Sequence, residues 1–232
     1  MQKKWNQVPP IILNLHDKKI KDFKVKIYHL CSGVRGWTEN HWRKMDDIYK
    51  NVKKNNFSKI IKDDFDRIKF DIAKQSLKQK VIIDKVDELV NLSFENIILA
   101  GHSAGGWASI TLKSKYPNKI SGAIAINPAF AGKINNRREW KFWELHRAYE
   151  INRIDLKNVN NTMMYVHDKD GYETSETLSF LNLDTVEYKD ISKSNCKAKL
   201  IFGKHHGIPL TKCFAESDIN QKEMIKFLEG IF

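Results

Sequence analysis

The sequence lacks the features that would divide the chain or place it in a membrane. It holds five prolines and eleven glycines among 232 residues, and it contains no internal repeat, low-complexity block or linker. No apolar run approaches the ~18 residues that span a bilayer, and no apolar segment of a secretory signal follows the first basic residues. These absences predict a single domain over residues 1–232, without stable membrane insertion, and we expect a cytoplasmic protein.

Cysteine is also scarce. The three residues of this type are Cys31, Cys196 and Cys213. Their odd number and the lack of C-x-x-C spacing argue against both a disulfide framework and a zinc site. Buried free thiols are therefore the expected state, and a Cys196–Cys213 bridge is the alternative in an oxidising compartment.

Positive charge, in contrast, is abundant, with a formal net charge of +12. A charge of this sign can indicate a nucleic-acid partner. The basic residues are mostly lysines, however, and they are spread along the whole chain rather than gathered in one tract. This distribution favours a generic basic surface, so we expect no nucleic-acid partner.

Short apolar runs alternate with longer segments of helical periodicity. This alternation predicts an α/β fold, with a mostly parallel sheet covered by helices on both faces. Several of the runs are rich in β-branched residues, as expected for strands that are buried on both sides. The predicted strands are 11–15, 25–30, 57–61, 96–100, 120–126, 162–167 and 198–202, and the predicted helices are 84–90, 104–115 and 219–228.

The most informative segment is Gly101-His-Ser-Ala-Gly105. This G-x-S-x-G pattern directly follows a predicted strand and precedes a predicted helix, which is the context of a nucleophile on a sharp strand-to-helix turn. Glycines are needed there because a Cβ would collide with the neighbouring elements, and Gly106 would let the helix pack close to the sheet. The helix N-terminus would direct its N–H groups at Ser103. The alternative is an ordinary junction in which Ser103 only caps the helix.

The motif resembles the nucleophile turn of the α/β-hydrolase superfamily, which includes esterases, lipases, thioesterases and dienelactone-hydrolase-like enzymes. The resemblance runs from about residue 25 to the C-terminus. It implies an α/β-hydrolase fold, and the short segment 127–161 leaves room for a small cap or none. It also implies Ser103 as the nucleophile and no metal or organic cofactor.

The resemblance further implies an acid, a base and an oxyanion hole. In this superfamily the acid and then the histidine follow the serine along the chain. Asp170, which is followed by Gly-Tyr-Glu, resembles the family's acid loop best and is favoured over Asp168. His206 is favoured over His205 because it precedes a glycine, as is usual in the family. The backbone N–H of Ala104 would be one oxyanion donor.

The second oxyanion donor is expected in the loop that follows the strand 25–30. Gly33 is favoured there over its neighbour Val34. The sequence Cys31-Ser-Gly departs from the His-Gly that many relatives carry at this place.

Two adjacent histidines also allow a metal site. His205 and His206, completed by His167, Asp168 and Asp170, are the competing interpretation of the same residues. No H-E-x-x-H or similar spacing supports it, so we expect no metal.

Taken with the resemblance, these residues predict a serine hydrolase that cleaves a small-molecule carboxylic ester or thioester through an acyl-enzyme. Two alternatives remain open. One is an acyltransferase or peptidase with the same triad, and the other is a non-catalytic binding protein on a hydrolase scaffold.

Overall fold

The computed structural model describes residues 26–30, 79–130, 143–181, 185–198 and 203–231. Within these residues, five strands form one sheet in the order β1-β2-β3-β4-β5, and every neighbouring pair is parallel. The strands are β1 (Lys26–Leu30), β2 (Ile97–His102), β3 (Gly122–Ile126), β4 (Thr162–Val166) and β5 (Val186–Asp190). The helices are α1 (residues 79–91), α2 (Ala104–Lys115), α3 (Trp143–Asn152), α4 (Lys212–Ala215) and α5 (Asp218–Glu229).

The α/β class and the parallel sheet predicted from the sequence are confirmed. Strands β1 to β4 and helices α1, α2 and α5 lie within a few residues of their predicted positions. Strand β5 was not predicted, because its sequence Val-Glu-Tyr-Lys-Asp has one buried apolar residue and no continuous apolar run. The predicted strands 11–15 and 57–61, and all but the first residue of 198–202, lie outside the described residues.

Helices cover both faces of the sheet. On one face, Ile98, Ile124 and Met163 pack in a cluster with Met224 and Phe227 of helix α5. The intervening strand residues face the opposite way, as the two-residue period of a strand requires. They pack against helices α1 and α2 through Val86, Leu89, Leu112, Trp107 and Ile110. Burial of these side chains from both faces is the main stabilising term of the fold.

The parallel arrangement brings the carboxyl ends of the strands to one edge of the sheet. The register pairs Leu30 with Gly101 and His102 with Ile126. It also pairs Val166 with Asp190, so the last residues of neighbouring strands lie side by side. In open parallel sheets this edge is where ligands bind. We refer to it as the carboxyl edge.

The disulfide Cys196–Cys213 corrects the expectation of free thiols. The two Cα atoms lie 5.7 Å apart, within the range that a disulfide spans. The bridge had been the less favoured alternative because spacing in sequence does not reveal which side chains meet after folding. Cys31 lies outside the described residues.

We predict that this disulfide stabilises the folded chain. Its cysteines are 17 residues apart in sequence, and closing a loop of that size in the unfolded chain is worth about 3 kcal/mol. Cys213→Ser should lower the free energy of unfolding by about this amount in urea titrations without reductant. The control is reductant itself, which should destabilise the native chain to the same level and leave the variant unchanged. Three free thiols in the denatured, unreduced protein would contradict the prediction.

Candidate active site

Ser103 occupies the turn between strand β2 and helix α2. Its backbone has φ 56° and ψ −125°, a conformation that costs a residue with a side chain about 1–3 kcal/mol. The turn is held by its own hydrogen bonds: the Ser103 N–H donates to the Ile126 carbonyl at 3.0 Å, and the Ser103 carbonyl accepts from Trp107 at 3.0 Å and from Ala129 at 3.1 Å. Ser103 therefore lies on a tight strand-to-helix turn, and the residue is partly exposed.

The glycines around Ser103 are required by close backbone approach. A Cβ on Gly101 would lie 2.4 Å from the Gly105 carbonyl carbon. A Cβ on Gly106 would lie 3.0 Å from the Gly101 oxygen and 3.2 Å from the Ile126 nitrogen. Backbone atoms cannot give way as a flexible side chain can. The expectation that a Cβ at these two glycines would collide with neighbouring elements is therefore confirmed. Their absence of side chains lets helix α2 begin directly against the sheet.

Asp170 and His206 form a buried pair, which we call the acid–base pair. His206 Nδ1 lies 2.6 Å from Asp170 Oδ2, and the two side chains are 5% and 1% exposed. The other carboxylate oxygen, Oδ1, accepts the Tyr172 N–H at 2.9 Å. A proton on Nδ1 is donated to the carboxylate, so in the neutral ring Nε2 carries the lone pair. That is the tautomer that a general base needs.

The alternative residues of the sequence analysis have other partners. Asp168 is exposed, and its carboxylate accepts from the Ser175 hydroxyl and, at 3.5 Å, from the Tyr188 hydroxyl. His205 Nδ1 lies 3.1 Å from His167 Nε2. The structure therefore joins the favoured acid to the favoured histidine, and directs Asp168 and His205 elsewhere.

Two neighbouring side chains fix the His206 residue. His102 Nε2 donates to the His206 carbonyl at 2.8 Å, and the two rings lie 4.5 Å apart. On another side of the His206 ring, the centroid of the Tyr172 ring lies 4.2 Å from the centroid of the imidazole. His102 is 2% exposed. The hydrogen bond from His102 therefore links the residue beside Ser103 to the backbone of His206.

Ser103 and His206 make no direct hydrogen bond among the residues that the structure describes. The N–H of Ala104 is the first of helix α2, and the first N–H groups of a helix have no partner within it. Gly33, the expected second oxyanion donor, lies outside the described residues.

Two residues near the acid–base pair were not assigned a role from the sequence. Tyr172 covers the imidazole, and Asn127 follows strand β3 directly at the carboxyl edge. For Asn127 a signal did exist, since a polar residue directly after a fully buried strand is placed beside the ends of its parallel neighbours. For Tyr172 none existed, because its ring contact depends on how the turn after β4 folds.

His167 and His205 form a second histidine pair beside the first. His167 Nδ1 accepts the Lys169 N–H at 3.0 Å, so in its neutral form the proton is on Nε2, which donates to His205. Burial and the neighbouring His205 lower the pKa of His167. Burial, Lys204 and Lys169 lower the pKa of His205. No cluster of three or more residues able to hold a metal occurs among the described residues.

No protein-family model matches this chain, and a search of curated proteins finds no match.

We predict that acid weakens the fold through this second pair. Because both pKa values are lowered in the folded state, the unfolded chain binds more protons as pH falls through the ordinary histidine value of about 6.5. The stabilisation is therefore complete above that value and is lost below it. Urea titrations from pH 8 to pH 5 should show a shallower decline in the free energy of unfolding for His205→Gln than for the native chain. Identical declines would contradict the prediction.

Proposed function

We propose that this protein is a serine hydrolase of the α/β-hydrolase type that cleaves a carboxylic ester or thioester through an acyl-enzyme. The observation that carries the proposal is the combination of a strained serine, held where a helix begins, with a buried acid–base pair at the same edge of a parallel sheet. A simple helix cap does not require this strain, since cap residues normally adopt extended backbone angles. Nor does capping require a buried histidine–carboxylate pair nearby.

The proposed reaction uses side chains and backbone alone. Ser103 Oγ attacks the acyl carbon while its proton passes to Nε2 of His206, and Asp170 stabilises the imidazolium that forms. The carbonyl oxygen becomes an oxyanion, which the Ala104 N–H and a second backbone donor would bind. The C–O or C–S bond then breaks, and the proton on Nε2 goes to the leaving group. Water repeats the sequence on the acyl-enzyme, releasing the acid and restoring the serine.

The surroundings of the acid–base pair support its role as a base. The 2.6 Å contact to Asp170 selects the tautomer, and the second carboxylate oxygen is satisfied by the Tyr172 N–H. Because the carboxylate is buried and accepts a hydrogen bond at each oxygen, it is held in one orientation. Burial also excludes the water that would otherwise compete for the same oxygens.

The disulfide bears on the compartment. Such bonds persist in oxidising environments and are rare in the cytosol, so Cys196–Cys213 favours an oxidising compartment over the cytoplasm expected from the sequence. In the described parts of the chain, no helix is both long and apolar enough to cross a membrane. We therefore propose an oxidising compartment as the location, in place of the cytoplasm.

A fluorophosphonate probe tests the nucleophile. Intact mass should show one adduct on the native chain, and peptide mapping should place it on Ser103, because only an activated serine attacks the probe. Ser103→Ala should abolish it. Ser93→Ala is the matched control, since Ser93 also has a positive φ, of 63°, and is exposed; this variant should label normally. A folded native chain that takes no label would overturn the proposal.

Hydrolysis of short activated esters tests the base and acid. His206→Gln and Asp170→Asn should each lower kcat/KM by roughly 10³- to 10⁴-fold, since each removes the oriented general base. His205→Gln and Asp168→Asn are matched controls one or two positions away, and should stay within a few-fold of the native chain. If the controls lose as much activity as the first two variants, the assignment is wrong. If an added acceptor alcohol or amine captures most of the acyl group, the protein is an acyltransferase instead.

A further inference from the structure

Asn127 stands between the two turns that carry the acid–base pair. It follows strand β3, its side chain is buried to 1% exposure, and its backbone has φ 40°. Asparagine tolerates such angles better than most residues with a side chain. Its backbone N–H donates to the Tyr165 carbonyl at 2.7 Å, which fixes it to the end of strand β4. A buried polar residue in this conformation calls for an explanation beyond packing.

The side-chain amide of Asn127 joins the turn of the acid to the turn of the base. Its Oδ1 accepts the His167 N–H at 3.1 Å, and His167 begins the turn that closes with the Asp170 N–H donating to the His167 carbonyl at 2.8 Å. Its Nδ2 donates to the His206 carbonyl at 3.1 Å and to the His205 carbonyl at 3.4 Å. One planar group thus holds the backbone of both turns.

We propose that Asn127 is a positioning residue for the serine hydrolase reaction, acting by holding the His206 backbone in register with Asp170. The inference rests on the proposed function, because positioning matters only if His206 is the base. His102 donates to the same His206 carbonyl at 2.8 Å. Two buried donors therefore fix this carbonyl, and the imidazole keeps only its side-chain rotations. The Asp170 contact and the Tyr172 ring then restrict those rotations.

The chemistry of the site requires an amide at position 127. The His167 N–H donates to the side chain, while the carbonyls of His205 and His206 both accept from it. An amide supplies one acceptor and two N–H donors from one short side chain, whereas a hydroxyl has a single donor. An aspartate would keep the acceptor but present a carboxylate oxygen to the carbonyls. The contacts also fix the amide orientation, since exchanging Oδ1 and Nδ2 would pair donor with donor and acceptor with acceptor.

The test compares Asn127→Gly with Asn161→Gly. Glycine accepts a positive φ without strain, so the first variant removes the amide but not the turn. Asn161 is the matched control: it has φ 55°, and its Nδ2 donates to one carbonyl, that of Ser121, at 3.3 Å. It precedes strand β4, at the opposite edge of the sheet. Both variants would be assayed on the same activated ester, with the rate of fluorophosphonate labelling measured in parallel.

We expect Asn127→Gly to lower kcat by about 10- to 100-fold, the effect of a misplaced catalytic group, with KM changed less than twofold. Labelling should slow in proportion. In the proton NMR spectrum, the downfield resonance of the His206 Nδ1 proton, identified by its loss in Asp170→Asn, should broaden or vanish. Asn161→Gly should match the native chain in all three measurements. A purely structural role would lower thermal stability and leave kcat and this resonance of the folded protein unchanged, which would overturn the inference.

Two further arms keep the result interpretable. If Asn127→Gly does not fold, Asn127→Asp replaces it, because aspartate has nearly the same shape and keeps the acceptor for the His167 N–H. It should show the same loss of kcat and of the resonance, and native values would overturn the inference. If Ser103 takes no label in the native chain, the proposed function fails. The NMR comparison then still decides whether Asn127 holds the His206–Asp170 contact.

Discussion

The close approach of helix α2 to strand β2 is the constraint on which the rest of the site depends. The Gly101 position leaves no space for a Cβ, and a Cβ on Gly106 would be in tight contact with backbone atoms. With glycine at both positions, the helix begins within one residue of the strand end. That distance is too short for a relaxed connection, so Ser103 carries the strain of the turn. Dense packing of helices α1 and α2 on the sheet offsets the strain, because releasing the turn would expose buried apolar surface.

Once the helix is held there, the other polar groups are placed by the sheet. Parallel strands end in register, so the residues that follow β2, β3 and β4 are neighbours in space although far apart in sequence. The side chains of His102, Asn127 and Asp170 come from these three strand ends. All three contact His206, which arrives from a distant part of the chain. The site is thus a set of strand ends joined through one histidine.

Much of this arrangement follows from local sequence. Mostly apolar runs identify strands β2, β3 and β4, because burial on both faces leaves few polar positions. The serine turn is evident because its glycines are adjacent in sequence to the residue they accommodate. The pairing of Asp170 with His206 was favoured through resemblance to a family, since local sequence does not state which aspartate meets which histidine.

The rest depends on contacts between distant segments. Three such contacts are the Cys196–Cys213 disulfide, the tilted ring contact of Tyr172 with His206, and the hydrogen bonds of Asn127 to two turns. All of them join residues that no periodicity relates. Strand β5 was missed for a different reason. Apart from the buried Val186, its residues are partly or fully exposed, so its polar pattern matches neither a buried strand nor a helix. Such a strand is stabilised by backbone pairing with β4, which composition does not record.

The disulfide also changes how the segment that carries His206 can move. Because Cys196 and Cys213 are linked, the intervening residues form a closed ring, and a thermal opening of the base turn cannot carry the histidine far from the carboxylate. Cys196 packs against the core cluster that contains Phe214, so the closed ring keeps the imidazole within a short loop's reach of the core. Re-formation of the contact is then an intramolecular event of small entropy cost. A covalent link outside the histidine–carboxylate contact thereby lowers the entropy cost of restoring that contact after each fluctuation.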